Sequence, residues 1–216
     1  MSHLQEPVAA TEGTADAEDT IGFLRVPERT PAGQDLFDED LAELGYVMNT
    51  SRLWGYQPDT VTALFGLARG ASAGHGLSVR QRLILGVACT SAFGDSYCAL
   101  AWGGKLAGAG GALTAVAVLR GDDELLSPGE RAMAGWARAV ARDPNATTAA
   151  DVRVLRDAGF SDAHIFAMTA FVALRLAFST VNDALGLRPD AALRRTLPPE
   201  VLDAVTHGRP IDVETS

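Results

Sequence analysis

The sequence is poor in the residues that staple, ligate or anchor a chain. Two cysteines in 216 residues, Cys89 and Cys98, exclude a disulfide scaffold. The four histidines, His3, His75, His164 and His207, are scattered. No set of His, Cys or carboxylate recurs at ligand spacing, so neither a metal site nor any cofactor is expected. Apolar stretches are broken by Arg, Asp or Gly before they reach the roughly 18 uncharged residues of a membrane span. No membrane partner is expected. A basic start followed by an apolar run, the mark of a secretory signal, is also missing; with two unpaired cysteines this sets the expectation of a reducing cytoplasm. Lysine occurs once, at Lys105, against 17 arginines, which reads as a compositional bias towards Arg and Ala.

Charge is unevenly spread. Residues 1–40 carry 10 acids and two arginines, leaving 17 acids and 16 bases in the other 176 residues. A body so close to neutral gives no electrostatic reason for a nucleic-acid partner. Residues 1–33, rich in Glu, Asp, Ala, Thr and Pro, hold few large apolar groups to offset the entropy of ordering. They are expected to form a mobile acidic arm, with Phe23 and Leu24 as its docking points. Residues 34–196 read as a single helical domain and 197–216 as a tail.

What the sequence has is helix signal. No proline interrupts 59–127 or 145–188, and these segments are rich in Ala and Leu. Ser78-Val79-Arg80-Gln81 and Ser127-Pro128-Gly129-Glu130 both carry the capping-box pattern, with Pro128 at a first helical position, where its missing N–H costs nothing. The two starts echo each other, Leu77-Ser78-x-x-x-Arg82 and Leu126-Ser127-x-x-x-Arg131, as a duplicated unit would. Ser161 can cap a helix in which Ile165, Met168, Val172 and Leu176 recur at helical spacing, ended by Gly186 and Pro189. No segment alternates for long with the period of a strand. The fold class is all-α.

The stretch Leu77 to Gly108, LSVRQRLILGVACTSAFGDSYCALAWGGKLAG, carries the most specific pattern. It resembles the core of the alkylhydroperoxidase D-like and carboxymuconolactone decarboxylase family, where a capped helix beginning L-S-P-x-x-R-E is followed by C-x-x-C-x-x-x-H. Leu44-Gly45-Tyr46-Val47-Met48-Asn49, Gln57-Pro58-Asp59, Leu126 to Arg142, Ala158-Gly159-Phe160-Ser161 and Phe178 to Gly186 are similar to the rest of the pattern, over roughly residues 41–190. The resemblance implies the family's helical fold, assembly into a homotrimer or homohexamer, and a small-molecule organic substrate. It also implies a dithiol relay of glutamate, two cysteines and histidine. Here those four positions are Leu83, Asp95, Cys98 and Trp102, a degenerate motif with one cysteine left.

Other residues must then carry any chemistry. A helix starting near Asp95 places Cys98, Trp102 and Lys105 on one face. Asp95 has two readings, helix cap and general base; a carboxylate held by amides is the poorer base near neutrality. Tyr97 is a second proton-handling candidate. Cys98 is a thiol near a helix N-terminus, opposed by Asp95, or else an inert buried residue. Cys89 reads as core. Leu83 and Trp102 line a drier pocket, either stacking on a planar ligand or filling space. Lys105 is a solvated residue, an anion partner or a Schiff-base lysine, and His75 either an acid/base group at a pocket mouth or an ordinary loop histidine. Gly103, Gly104, Gly108, Gly110 and Gly111 follow no strand and precede no G-K-[ST], so they mark close packing or a turn, not a phosphate loop. The leading expectation is non-redox acid/base chemistry, meaning decarboxylation, isomerisation or cyclisation. The alternatives are a one-cysteine peroxidase using Cys98 and a non-catalytic binding or scaffold protein.

Overall fold

The computed structural model describes residues 20–213. The chain opens with a minimal antiparallel hairpin, β1 (Thr20–Ile21) and β2 (Leu24–Arg25). Helices follow: α1 (Pro31–Leu44), α2 (Asn49–Trp54), α3 (Pro58–Ser72), α4 (Val79–Phe93), α5 (Ser96–Gly110), α6 (Ala112–Arg120), α7 (Pro128–Arg142), α8 (Ala149–Asp157), α9 (Asp162–Ala184), α10 (Leu193–Thr196) and α11 (Pro199–Ala204). The fold is all-α in one domain, as the sequence indicates.

The caps form where the pattern places them. Ser78 Oγ accepts the Gln81 N–H at 3.2 Å while Gln81 Oε1 accepts the Ser78 N–H at 2.8 Å. Ser127 and Glu130 repeat the exchange at 3.3 and 3.0 Å. The leucine before each cap, Leu77 and Leu126, is buried in the main core. Arg80 Nε bonds Glu130 Oε1 at 2.6 Å, joining the first turns of α4 and α7. The sequence echo is therefore two equivalent helix starts packed together.

The central element is α9. Its 23 residues are long and apolar enough to cross a membrane by composition alone. Here it packs on α3, α4 and α7, burying Ile165, Met168, Phe171, Val172 and Phe178. It also buries Arg175, Ser179 and Asn182 on the same stripe at helical spacing.

Both ends of the chain are packed where they are described. Residues 1–19 lie outside the described residues. From Thr20 the arm is docked: Ile21 is buried, the Phe23 N–H donates to the Leu185 carbonyl at 2.8 Å, and the Arg209 guanidinium stacks on Phe23 at 5.0 Å. The expected tail after residue 196 folds back as well. Val201 of α11 is fully buried beside Gly103, and Ser96 Oγ donates to the Arg209 carbonyl at 2.7 Å. These anchors are single residues on very short elements, so no periodicity announces them.

Gly86 makes room for the site. A Cβ on this mid-helix glycine of α4 would lie 2.6 Å from the Trp102 ring. The ring occupies the notch that the missing side chain leaves. Gly86→Ala should therefore lose about 1–2 kcal/mol in urea unfolding, overpacking outweighing the gain in helix propensity. Adding Trp102→Leu should recover part of that loss, and strict additivity of the two substitutions would refute the contact.

Candidate active site

A cavity of about 600 Å³ opens between α1, α2, α3, α4, α5 and α9. Leu83, Tyr97, Cys98, Trp102 and Lys105, all singled out in the sequence, line it together. The first turn of α5 sets this up. Asp95 is its N-cap, with Oδ1 accepting the Cys98 N–H at 2.9 Å. That bond fixes Cys98 and, one turn further along, Trp102 on the cavity side. Lys105 is exposed at the rim, its Nζ 5.7 Å from the Trp102 ring centre.

Two candidates stand elsewhere. Asp95 has no exposed surface and does not line the cavity, because capping draws its carboxylate beneath the turn. Its role here is positional, and contact with a ligand as general base does not fit. His75 lies exposed in a 3-10 turn after α3 and also does not line the cavity. The glycine-flanked turn holds it at the surface.

Tyr97 is fully engaged. Its hydroxyl donates to Asp190 Oδ2 and stands 3.4 Å from Thr50 Oγ1. Asp190 Oδ1 accepts the Asn49 N–H at 2.6 Å, so one carboxylate ties the start of α2 to α5. Burial pushes both groups up, Tyr97 well above the usual phenol range and Asp190 above the usual carboxylate range, with the Tyr97 and Asn49 bonds opposing the rise in Asp190.

Cys98 is free and buried at the cavity wall. Burial raises its thiol pKa well above the ordinary value, Asp95 adds to the rise, and Arg175 opposes it. Arg175 Nη2 stands 3.6 Å from Cys98 Sγ. Cys89 is core, as expected: its Sγ donates to the Gly86 carbonyl at 3.4 Å, and burial pushes it up to about 12.

Arg175 and Asp190 are the site residues that motif reading missed. Arg175 is only 7% exposed, and its guanidinium lies 4.9 Å from the Trp102 ring, 5.0 Å from Phe178 and 5.6 Å from Phe65. Phe178 also stacks on Trp54 at 5.5 Å, and the Trp54 indole N–H donates to Asn182 Oδ1 at 2.9 Å. A signal for Arg175 existed. It stands on the same helical stripe as Met168, Val172 and Phe178, where a charge is conspicuous. Asp190, in an irregular segment after Pro189, had none.

No family model and no curated protein sequence matches the chain. Solved structures do. An alkylhydroperoxidase AhpD-core, peroxidase-related protein from Ralstonia eutropha JMP134 shares 23% identity at a TM-score of 0.67, over 81% of this chain and 95% of that one. A peroxidase-related protein from Silicibacter sp. TM1040 shares 22% at 0.71, over 80% and 94%. The debrominase Bmp8 shares 19% at 0.67, over 83% and 96%. Its cysteine-to-alanine variant has been solved with 2,3,4-tribromopyrrole. The chain has the AhpD-like helical fold, and the proteins that share this fold include an enzyme.

Two measurements test the electrostatics. Removing the Asp95 charge in Asp95→Asn, which keeps a capping side chain, should move the pH profile of Cys98 alkylation by iodoacetamide to lower pH. An unmoved profile, followed by intact mass, would separate Asp95 from the thiol. Asp183, at the end of α9, is pushed up to about 7 by burial and by Asp95, with Arg209 opposing. A carboxyl raised in the folded state contributes stability that is complete below its unfolded value, 3.8, and lost as pH rises through about 7. The melting temperature of Asp183→Asn should therefore gain on the parent protein between pH 4 and 8, and a constant difference would refute the assignment.

Proposed function

We propose that this protein is an enzyme on the AhpD-like scaffold that performs proton-transfer chemistry on a small organic molecule, without a dithiol cycle. Isomerisation, ring closure and decarboxylation are the reactions within its reach. The observation that carries this reading is Tyr97 on the wall of the cavity, with its hydroxyl bonded to the buried Asp190 behind it. Tyr97 Oη takes a proton from the substrate as Asp190 Oδ2 takes the phenol proton, and the reverse transfer returns a proton to another substrate atom. Burial helps, because a carboxyl raised towards neutrality accepts a proton more readily than an ordinary aspartate does. Cys98, held as a thiol, and Trp102 shape the cavity, and Lys105 stands at the rim to meet charged groups. Asp95 positions the turn.

The cavity counts against a non-catalytic scaffold, since Leu83 and Trp102 line it without filling it. Self-assembly belongs to the same reading. The exposed apolar side chains Leu113, Val154 and Phe166 suit subunit contacts, and a trimer or hexamer is the expected species in analytical ultracentrifugation.

The test begins with a turnover screen of small aromatic and lactone acids in D₂O, where the product should carry solvent deuterium. For the substrate found, Tyr97→Phe should lower kcat by about 10²–10⁴-fold with KM nearly unchanged. A larger loss in Cys98→Ser than in Tyr97→Phe would sink the proposal. That outcome would favour a second reading, supported by the Arg175 contact with Cys98: a one-cysteine peroxidase. In that case the Cys98 thiolate reduces a hydroperoxide to the alcohol and becomes a sulfenic acid; one external thiol condenses with it to a mixed disulfide and water, and a second releases the Cys98 thiol as the external disulfide forms. Mild peroxide should then add one oxygen to Cys98 before Cys89, and no addition would exclude it.

A further inference from the structure

We infer that Arg175 is the receptor for a planar organic anion, an aromatic or conjugated monocarboxylate, bound in the cavity with its carboxylate on the guanidinium. The inference rests on the proposed function only in taking this cavity as the substrate site.

The chain itself supplies the comparison. It buries two arginines, Arg138 and Arg175, to nearly the same depth, 8% and 7% exposed. Arg138 is paired with a carboxylate in a structural role: Nη1 and Nη2 meet Asp123 Oδ2 and Oδ1 at 2.6 and 2.9 Å, and Nη2 also meets the Val118 carbonyl at 3.0 Å. Arg175 has nothing comparable. Among the described residues no carboxylate lies within 4 Å of it, its Nε has no hydrogen-bond partner, and its one recorded bond is the 3.6 Å contact with sulfur. A guanidinium has five donors in a planar fork that matches a carboxylate. Most of those donors have no partner among the described residues of the protein.

Neighbouring groups define that ligand further. Asp95, the acid beneath Cys98, gives Oδ1 to an amide and does not reach Arg175. The acids that line the cavity, Glu39, Asp40 and Glu43, all belong to α1, and Asp40 is held by the Met48 N–H at 2.8 Å. Arg69, Arg82 and Lys105 balance them on the same lining. Cys98 cannot serve as the resting counter-ion while burial and Asp95 keep it a thiol. The rings of Trp102, Phe178 and Phe65 hold the guanidinium by cation–π contact and leave flat apolar surface beside it, which suits a conjugated ligand. At about 600 Å³ the space fits a small molecule.

The experiment is titration calorimetry on the full chain with benzoate and with its neutral analogue benzamide. Benzoate should bind at least ten-fold more tightly, and Arg175→Gln should abolish the difference; comparable binding of the two, or benzoate binding that survives Arg175→Gln, overturns the inference. Should that variant fail to fold, the unmodified protein still decides. Benzoate must slow iodoacetamide labelling of Cys98 and benzamide must not; equal protection by both overturns it. Tyr97→Phe is expected to keep the preference for benzoate, so failure of the proton-transfer reading and failure of the anion receptor give different results.

Discussion

One hydrogen bond, from the Cys98 N–H to Asp95 Oδ1, fixes the turn on which the cavity is built. It ends the loop after α4, starts α5, and sets the rotation of that helix. From this rotation follow the direction of Cys98 and Trp102 into the cavity and the reach of Tyr97 across to Asp190. The C-terminal segment locks the same turn from outside. A Cβ on Gly208 would meet the Gly94 carbonyl oxygen and Ser96 Oγ at 2.7 Å each, so only a residue without a side chain passes there undisturbed. Sealing has a cost, since Asp95 Oδ2 is buried without a partner. A cap exposed to water would hold the helix more cheaply. The buried carboxylate also sets the electrostatics beside the thiol, which a merely local cap would not do.

The same argument applies along α9. Arg175 Nε, Ser179 Oγ and Asn182 Nδ2 are buried polar atoms without partners on a helix that is otherwise a core element. Leaving such an atom unpaired costs about 1–3 kcal/mol, and apolar side chains of similar size would avoid the cost. Only Asn182 has a direct structural use through its oxygen, which orients Trp54 and so the Trp54–Phe178 stack. Packing alone does not account for the stripe. Arg175, the first of the three, lines the cavity.

The scaffold was legible because its signals are local. Each capping box is written within four residues, and proline spacing marks out long uninterrupted helices. The Asp95–Cys98–Trp102 face was legible for the same reason, as one helix read at its own period. Groups joined across sequence were not. Asp190 reaches Tyr97 over 93 positions and Asn49 over 141. Asp95 shows the limit of a local reading: its two candidate roles, cap and base, share one spacing, and only burial separates them. Phe23 was legible as a docking point of the arm, whereas Ile21 and Val201 anchor elements too short to show a period.

Burial and charge also bear on the proposal that Cys98 serves no dithiol cycle. A helix N-terminus ordinarily favours a thiolate, and a dithiol relay needs a second sulfur within reach to resolve the first. Here the position before Cys98 where the resembling motif has a cysteine holds Asp95, which takes the helix amide for itself and sets a negative charge against the thiol. The other cysteine, Cys89, is committed to the core through the Gly86 carbonyl. Burial raises the thiol most, Asp95 adds to the rise, and Arg175 and Ser179 pull the other way. An anionic ligand on Arg175 would weaken the pull of that charge towards thiolate. Occupation of the cavity and protonation of Cys98 would then favour each other, and a thiol held in that way serves proton transfer better than electron transfer.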